Sequence, residues 1–241
     1  MRGLRRFGLR NIFLVTFILL LLAGSSYALC GHPTPRLVCA EYFHEQVVVT
    51  ATLVRIRHFV PKDPDGDEYD LFAMETTRVL RGKIPQHFRV IQEYNSGRAG
   101  IDWTLGESYL LFLFYSAEDK AWSLDGCSNS DLLSKSGTVL QEIQRLQTHK
   151  GNGGTIQGLV WPGPNTTVLV RGMHLNFKTT TQANQRGEFS VHVPAGFYTV
   201  WPVHQGKRFE VDFLSYQDPR KIEIVDGGCA QMQFNVREDR K

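Results

Sequence analysis

The sequence lacks the short motifs that mark the common catalytic centres. It contains no G-x-S-x-G nucleophile elbow, no P-loop and no G-x-G-x-x-G fingerprint. That removes the usual signs of a serine hydrolase, a nucleotide hydrolase and a dinucleotide-dependent enzyme. The eight histidines (His32, His44, His58, His87, His149, His174, His192 and His204) are scattered. None forms an H-E-x-x-H or paired Cys/His pattern, so neither a metal nor any other cofactor is expected. A basic stripe with interleaved aromatics is missing too. The formal charge of +3 misleads, because four of the 27 basic residues lie in the first ten positions, leaving 23 against 24 acids. Nucleic acid is not an expected partner. Beyond residue 28 no apolar stretch approaches the roughly 20 residues of a membrane-spanning helix.

What is present begins with an export signal. Arg2, Arg5, Arg6 and Arg10 precede an apolar run over 12–23, interrupted only by Thr16. Ser26 and Ala28 then supply the small residues expected before a cut after Ala28. The expected location is therefore secreted or periplasmic, with no membrane span once 1–28 is removed. An uncleaved membrane anchor is the alternative. Leu29 before Cys30 argues against a lipoprotein, which needs a small residue there. Four cysteines follow the cut: Cys30, Cys39, Cys127 and Cys229. An even count behind a signal reads as a disulfide framework in an oxidising compartment.

The rest of the chain is mainly β. A short helical stretch over 37–43 leads into a β-branched run at 47–59 (VVVTATLVRIRHF). Further strands are expected at 69–80, 87–94, 108–115 (SYLLFLFY) and 122–125. A helix is expected at 136–148, where Val139, Leu140, Ile143 and Leu146 share one face. The glycine-rich stretch in 149–154 reads as a linker, since an apolar strand pattern follows it. Eight short strand patterns then run from 155 to 236 at close spacing, which suggests a sandwich.

The pieces Cys39-Ala40 leading into VVVTATLVRI, TTRVLRGKIP (76–85), LGESYLLFLF (105–114) and DGCS (125–128) give the first part a family likeness. It resembles the tissue-inhibitor-of-metalloproteinases-like, or netrin-like, domain over roughly 30–147. That resemblance implies an OB-type five-stranded barrel with flanking helices. The pieces IQGLV (156–160) and TTTQANQRGEFSVHVPAGFYTV (179–200) resemble the carboxypeptidase regulatory-like family. They imply a prealbumin-like Greek-key β-sandwich of seven to eight strands without catalytic residues. The resulting organisation is a signal at 1–28, an OB-fold domain at 29–148, a linker at 149–154 and a sandwich domain at 155–241. Within the second likeness, 183–187 is expected to form a hairpin turn with Gly187 at positive φ. Phe189, Val191 and Val193 should then face one way.

The first resemblance also implies disulfide pairings. Cys30 matches the second cysteine of the inhibitors' opening pair, which implies a bridge from Cys30 to Cys127. Cys39 matches a cysteine bonded within the same domain in the inhibitors. This chain has no such partner, so a bridge from Cys39 to Cys229 is expected, against the alternative of free or intermolecular thiols. In the inhibitors the first mature cysteine chelates the protease zinc. Here that cysteine and its partner are both absent, and Leu29 and Cys30 form the candidate amino-terminal inhibitory edge.

Other candidates have plain readings. Asp63, Asp65, Asp67 and Asp70 gather carboxylates, but Glu68 and Met74 break the calcium-loop spacing, so a solvated turn is expected. Asn165-Thr166-Thr167 matches a glycosylation acceptor. Trp103, Trp122, Trp161 and Trp201 are expected mostly in packing, with Trp103, in a loop, the exposed candidate. The expected function is that of an exported, non-catalytic binding protein with disulfide-stabilised β domains. Its partner would be a protein or glycan. The alternatives are a metalloprotease inhibitor acting through its mature amino terminus and a hydrolase without a recognisable motif.

Overall fold

The computed structural model describes residues 36–60, 68–93, 101–148, 151–212 and 217–237. The expected signal at 1–28, Leu29, Cys30 and the carboxylates Asp63, Asp65 and Asp67 lie outside them. Helix α1 (Val38–His44) precedes strands β1 (Val47–Phe59), β2 (Tyr69–Arg81), β3 (His87–Glu93), β4 (Ser108–Ser116), β5 (Ala121–Ser123) and β6 (Asp131–Leu132). A 3-10 turn (Leu133–Lys135) leads into helix α2 (Gly137–Thr148). The sheet order is β1-β2-β3-β5-β4-β6, and an additional β1–β4 pairing closes five of these strands into a ring. That is the closed connectivity expected of an OB-type barrel.

The apolar runs explain the barrel's two layers of packing. Val47, Val49, Ala51 and Leu53 of β1 join Tyr109, Leu111 and Leu113 of β4 inside the barrel. The alternate residues Val48, Leu110 and Phe112 pack instead with Tyr42 of α1 and with Ile143 and Leu146 of α2. Successive strand side chains point to opposite faces. A strand buried on both faces therefore reads as an unbroken apolar run, as SYLLFLFY does. Three register shifts between β1 and β2 mark irregularities along that long pair. Such bulges bend a strand and help a sheet close.

The second part comprises β7 (Gly154–Trp161), β8 (Thr167–Gly172), β9 (Lys178–Gln182), β10 (Glu188–Val193), β11 (Gly196–Val203), β12 (Phe209–Val211), β13 (Ile222–Ile224) and β14 (Cys229–Val236). They form two four-stranded sheets, β10-β7-β14-β12 and β13-β11-β8-β9. Both sheets contribute to one core: Ile156, Phe189, Met232 and Phe234 from the first meet Val168, Val170, Tyr198 and Val200 from the second. Phe189, Val191 and Val193 do share the inward face.

The turn at 183–187 differs from the hairpin expected. Gly187 has φ 84°, and Gly187 N donates to Asn184 O at 2.9 Å. The strands it joins nevertheless belong to different sheets, since β9 pairs with β8 and β10 pairs with β7. The turn carries the chain across the sandwich. Asp70 sits in β2, within the strand expected at 69–80, and not in the solvated turn expected of the acidic group. It lies opposite His58 in the ladder, and its Oδ1 is 2.8 Å from His58 Nδ1.

Candidate functional site

The arrangement starts where the described chain begins. Arg36 reaches Asp125, with Nη2 donating to Oδ2 at 2.7 Å. The other oxygen of Asp125 accepts from Cys127 N at 2.9 Å. Asn129 closes the loop around α1: its Nδ2 donates to Arg36 O at 3.0 Å and to Glu41 Oε2 at 2.6 Å. Its backbone N donates to the same Glu41 oxygen at 2.8 Å. The DGCSNS loop thus wraps the start of α1 with polar groups of matched donors and acceptors.

Glu41 is fully buried. Burial is the largest influence on its carboxyl and pushes its pKa up to about 7, while the two Asn129 bonds and the Arg36 charge pull the other way. Its Oε1 has no hydrogen-bond partner among the described residues. An unpaired buried oxygen is better tolerated on a protonated acid than on a carboxylate.

Barrel and sandwich meet at the other side of α1. Cys39 and Cys229 are joined in a disulfide with Cα atoms 5.4 Å apart. Leu37 N donates to Gln231 Oε1 at 2.8 Å. Gly228 permits the close approach: a Cβ there would stand 2.9 Å from a Val225 methyl and 3.3 Å from the Phe43 ring. Cys127 is disulfide-bonded as well, and no described cysteine is free. Cys30, its expected partner, lies outside the described residues, as does the edge formed by Leu29 and Cys30.

Beside this junction a cleft of about 470 Å³ opens between Leu37 and the outer face of the β7 sheet. Cross-strand registers define its floor. Ser190 of β10, Gln157 of β7 and Gln231 of β14 form one row, and Glu188, Leu159 and Gln233 the next. Glu188 is held by Asn184, whose Nδ2 donates to Oε2 at 2.8 Å. Among the described residues, no group of three or more His, Cys, Asp or Glu side chains is placed to hold a metal.

Trp103 and Trp161 exchange the roles expected of them, while Trp122 packs against the barrel core as expected. Trp103 stacks on Phe72 with centroids 4.3 Å apart and also meets Tyr109 at 4.7 Å. Its Nε1 donates to Gln92 Oε1 at 2.8 Å. The loop folds back over the barrel mouth because the Tyr109 hydroxyl accepts from Thr104 N at 2.6 Å. Trp161 is instead 67% exposed and Trp201 is 42% exposed. His192 lies on the outward face, as alternation required, within 2.9 Å of Asn152 O. His204 is separate from it, with Nδ1 2.9 Å from the hydroxyl of buried Thr166.

Sequence reasoning singled out the cysteines and the DGCS loop but missed Arg36, Glu41, Asn129 and Gln231. A lone Glu in VCAEYFH carries no signal of burial. Only the polar density of DGCSNS hinted at a loop that satisfies other groups.

Fold and site together define a disulfide-clamped, mainly β protein of barrel and sandwich. No protein-family model and no curated protein matches the chain. Among solved structures it is similar to the Bacillus anthracis TIE protein, at 13% identity and a TM-score of 0.26. The alignment covers 80% of this chain and 35% of that one, so this chain spans about a third of that protein's length.

Proposed function

We propose that this chain is an exported, non-catalytic binding protein, built as an OB-fold domain over 29–148 and a sandwich domain over 155–241. The observation that carries the reading is the Cys39–Cys229 cross-link. It joins α1 to β14 of the β10-β7-β14-β12 sheet and turns two β bodies into one fixed surface. Such a staple suits an oxidising compartment. It also limits relative motion, which lowers the ordering cost of a ligand that touches both parts. Its partner is a protein or a glycan. The test sets the purified protein against hydrolase substrates and against immobilised proteins and glycans. Retention without turnover is expected, and turnover of any substrate overturns the reading.

A second reading is inhibition of a metalloprotease. The Arg36–Asp125 pair and the Asn129 bond to Arg36 O favour it, because they anchor the base of the segment that follows the signal. A bridge from Cys30 to Cys127 would extend that anchor to the residue beside the mature terminus. Leu29 and Cys30 would then present the terminal amine to a protease zinc. Inhibition of a metalloprotease panel that disappears when the amine is acetylated supports this reading. Unchanged inhibition after acetylation refutes it.

A further inference from the structure

We propose that the cleft between α1 and the outer face of the β7 sheet, extended by Trp161, binds a neutral oligosaccharide. The inference rests on the binding-protein reading and names the ligand class and the site. Gln157, Leu159 and Trp161 are spaced by two along β7 and so project to the same outer face. Gln157 lies in the row with Ser190 and Gln231, Leu159 in the row with Glu188 and Gln233, and Trp161 opposite Asn235. The face therefore grades from amides and a hydroxyl, through Glu188, to an exposed indole in the row of Asn235 and Glu210.

The chemistry narrows the ligand in three steps. Of the residues lining the cleft only Glu188 ionises, and none is a cation. A sulfated or phosphorylated polymer would meet no counter-charge there. The strand under the cleft, β7, is paired on both sides by β10 and β14. Its backbone groups are spent in ladders, so an extended peptide could not add to it as a strand. Over β7 recognition comes from side chains. Strand β10, which also lines the cleft, is an edge strand, and peptide addition there is the competing mode that the peptide arm of the test rules out. Amides, a hydroxyl and a carboxylate suit the paired donors and acceptors of vicinal sugar hydroxyls. A flat indole suits the apolar face of a pyranose ring.

Two further features support occupancy. Gln157 and Ser190 make no side-chain hydrogen bond to another described residue, so they keep their hydrogen-bonding capacity for a ligand. The cleft volume of about 470 Å³ falls in the roughly 300–1,000 Å³ range of small-molecule sites, which favour domain junctions. Leu37 forms one wall of the cleft; its N–H is tied to Gln231, and it lies two residues from Cys39. The disulfide thereby sets the width of the site.

The test titrates the oxidised full-length exported protein with neutral hexaoses of glucose, mannose, galactose and N-acetylglucosamine by calorimetry. One of them should bind at up to millimolar concentration. Trp161→Ala and Gln157→Ala should each weaken that binding by about tenfold or more with the unfolding temperature unchanged. Absence of binding by all four sugars overturns the proposal. So does binding that both variants leave intact, or a neutral peptide that binds with the same sensitivity to both. A protein ligand indifferent to both variants, with no sugar bound, overturns the glycan site and spares the binding reading. New reducing ends released alongside Trp161-dependent binding would uphold the cleft and overturn the non-catalytic reading.

Discussion

Glu41 is the residue on which the barrel's polar anchor turns, and its protonation gives the fold a pH dependence. Folding raises its pKa from the ordinary 4.5 to about 7 because the carboxyl is buried. The folded state therefore keeps a proton that the unfolded chain releases above the lower value. This contribution is whole below pH 4.5 and is lost as the pH rises through about 7. Its full size is on the order of 3 kcal/mol. Glu41→Gln, which imitates the protonated acid, should raise the unfolding temperature at pH 8 and change it little at pH 4, read by thermal denaturation at both. Trp103 offers a second check. Its ring stacks on Phe72 and Tyr109, so Trp103→Ala should cost about 3 kcal/mol in denaturant unfolding. A freely exposed tryptophan would cost almost nothing.

At the scale of elements, legibility followed burial. The strand β4 and the first half of β1 were readable because both of their faces are covered, which keeps them free of charged residues. Helix α2 was readable from its four spaced apolar residues. The strand β6 was not, since two residues carry no period. The connection from β9 to β10 was misread for a different reason. Local turn chemistry at 183–187 is satisfied by a hairpin and by a sheet-to-sheet crossing alike, and only the core decides between them. Gly187 is required by either. It has φ 84°, and a Cβ there would stand 2.3 Å from Val160 O. Gly187→Ala should therefore cost about 2 kcal/mol or more, seen as a lower denaturant midpoint with an unchanged slope. The role of Trp103 was illegible because a loop's return path depends on which side chain its backbone bonds, here the Tyr109 hydroxyl.

At the scale of the whole molecule, the account depends on one covalent link across 190 residues of chain. In the chain-entropy model such a loop is worth up to about 5 kcal/mol. A Cys39→Ser, Cys229→Ser double variant should lose much of that in thermal unfolding. It should also show increased motion of barrel against sandwich in small-angle scattering. Beside the disulfide, Leu37 N bonds Gln231 and the Phe43 ring packs close to Gly228. The most direct measurement is non-reducing peptide mapping of the purified protein after alkylation under native conditions. The account predicts no alkylated cysteine and a cross-linked pair of peptides carrying Cys39 and Cys229. Alkylation of all four cysteines, or Cys39 joined to any other partner, would contradict it.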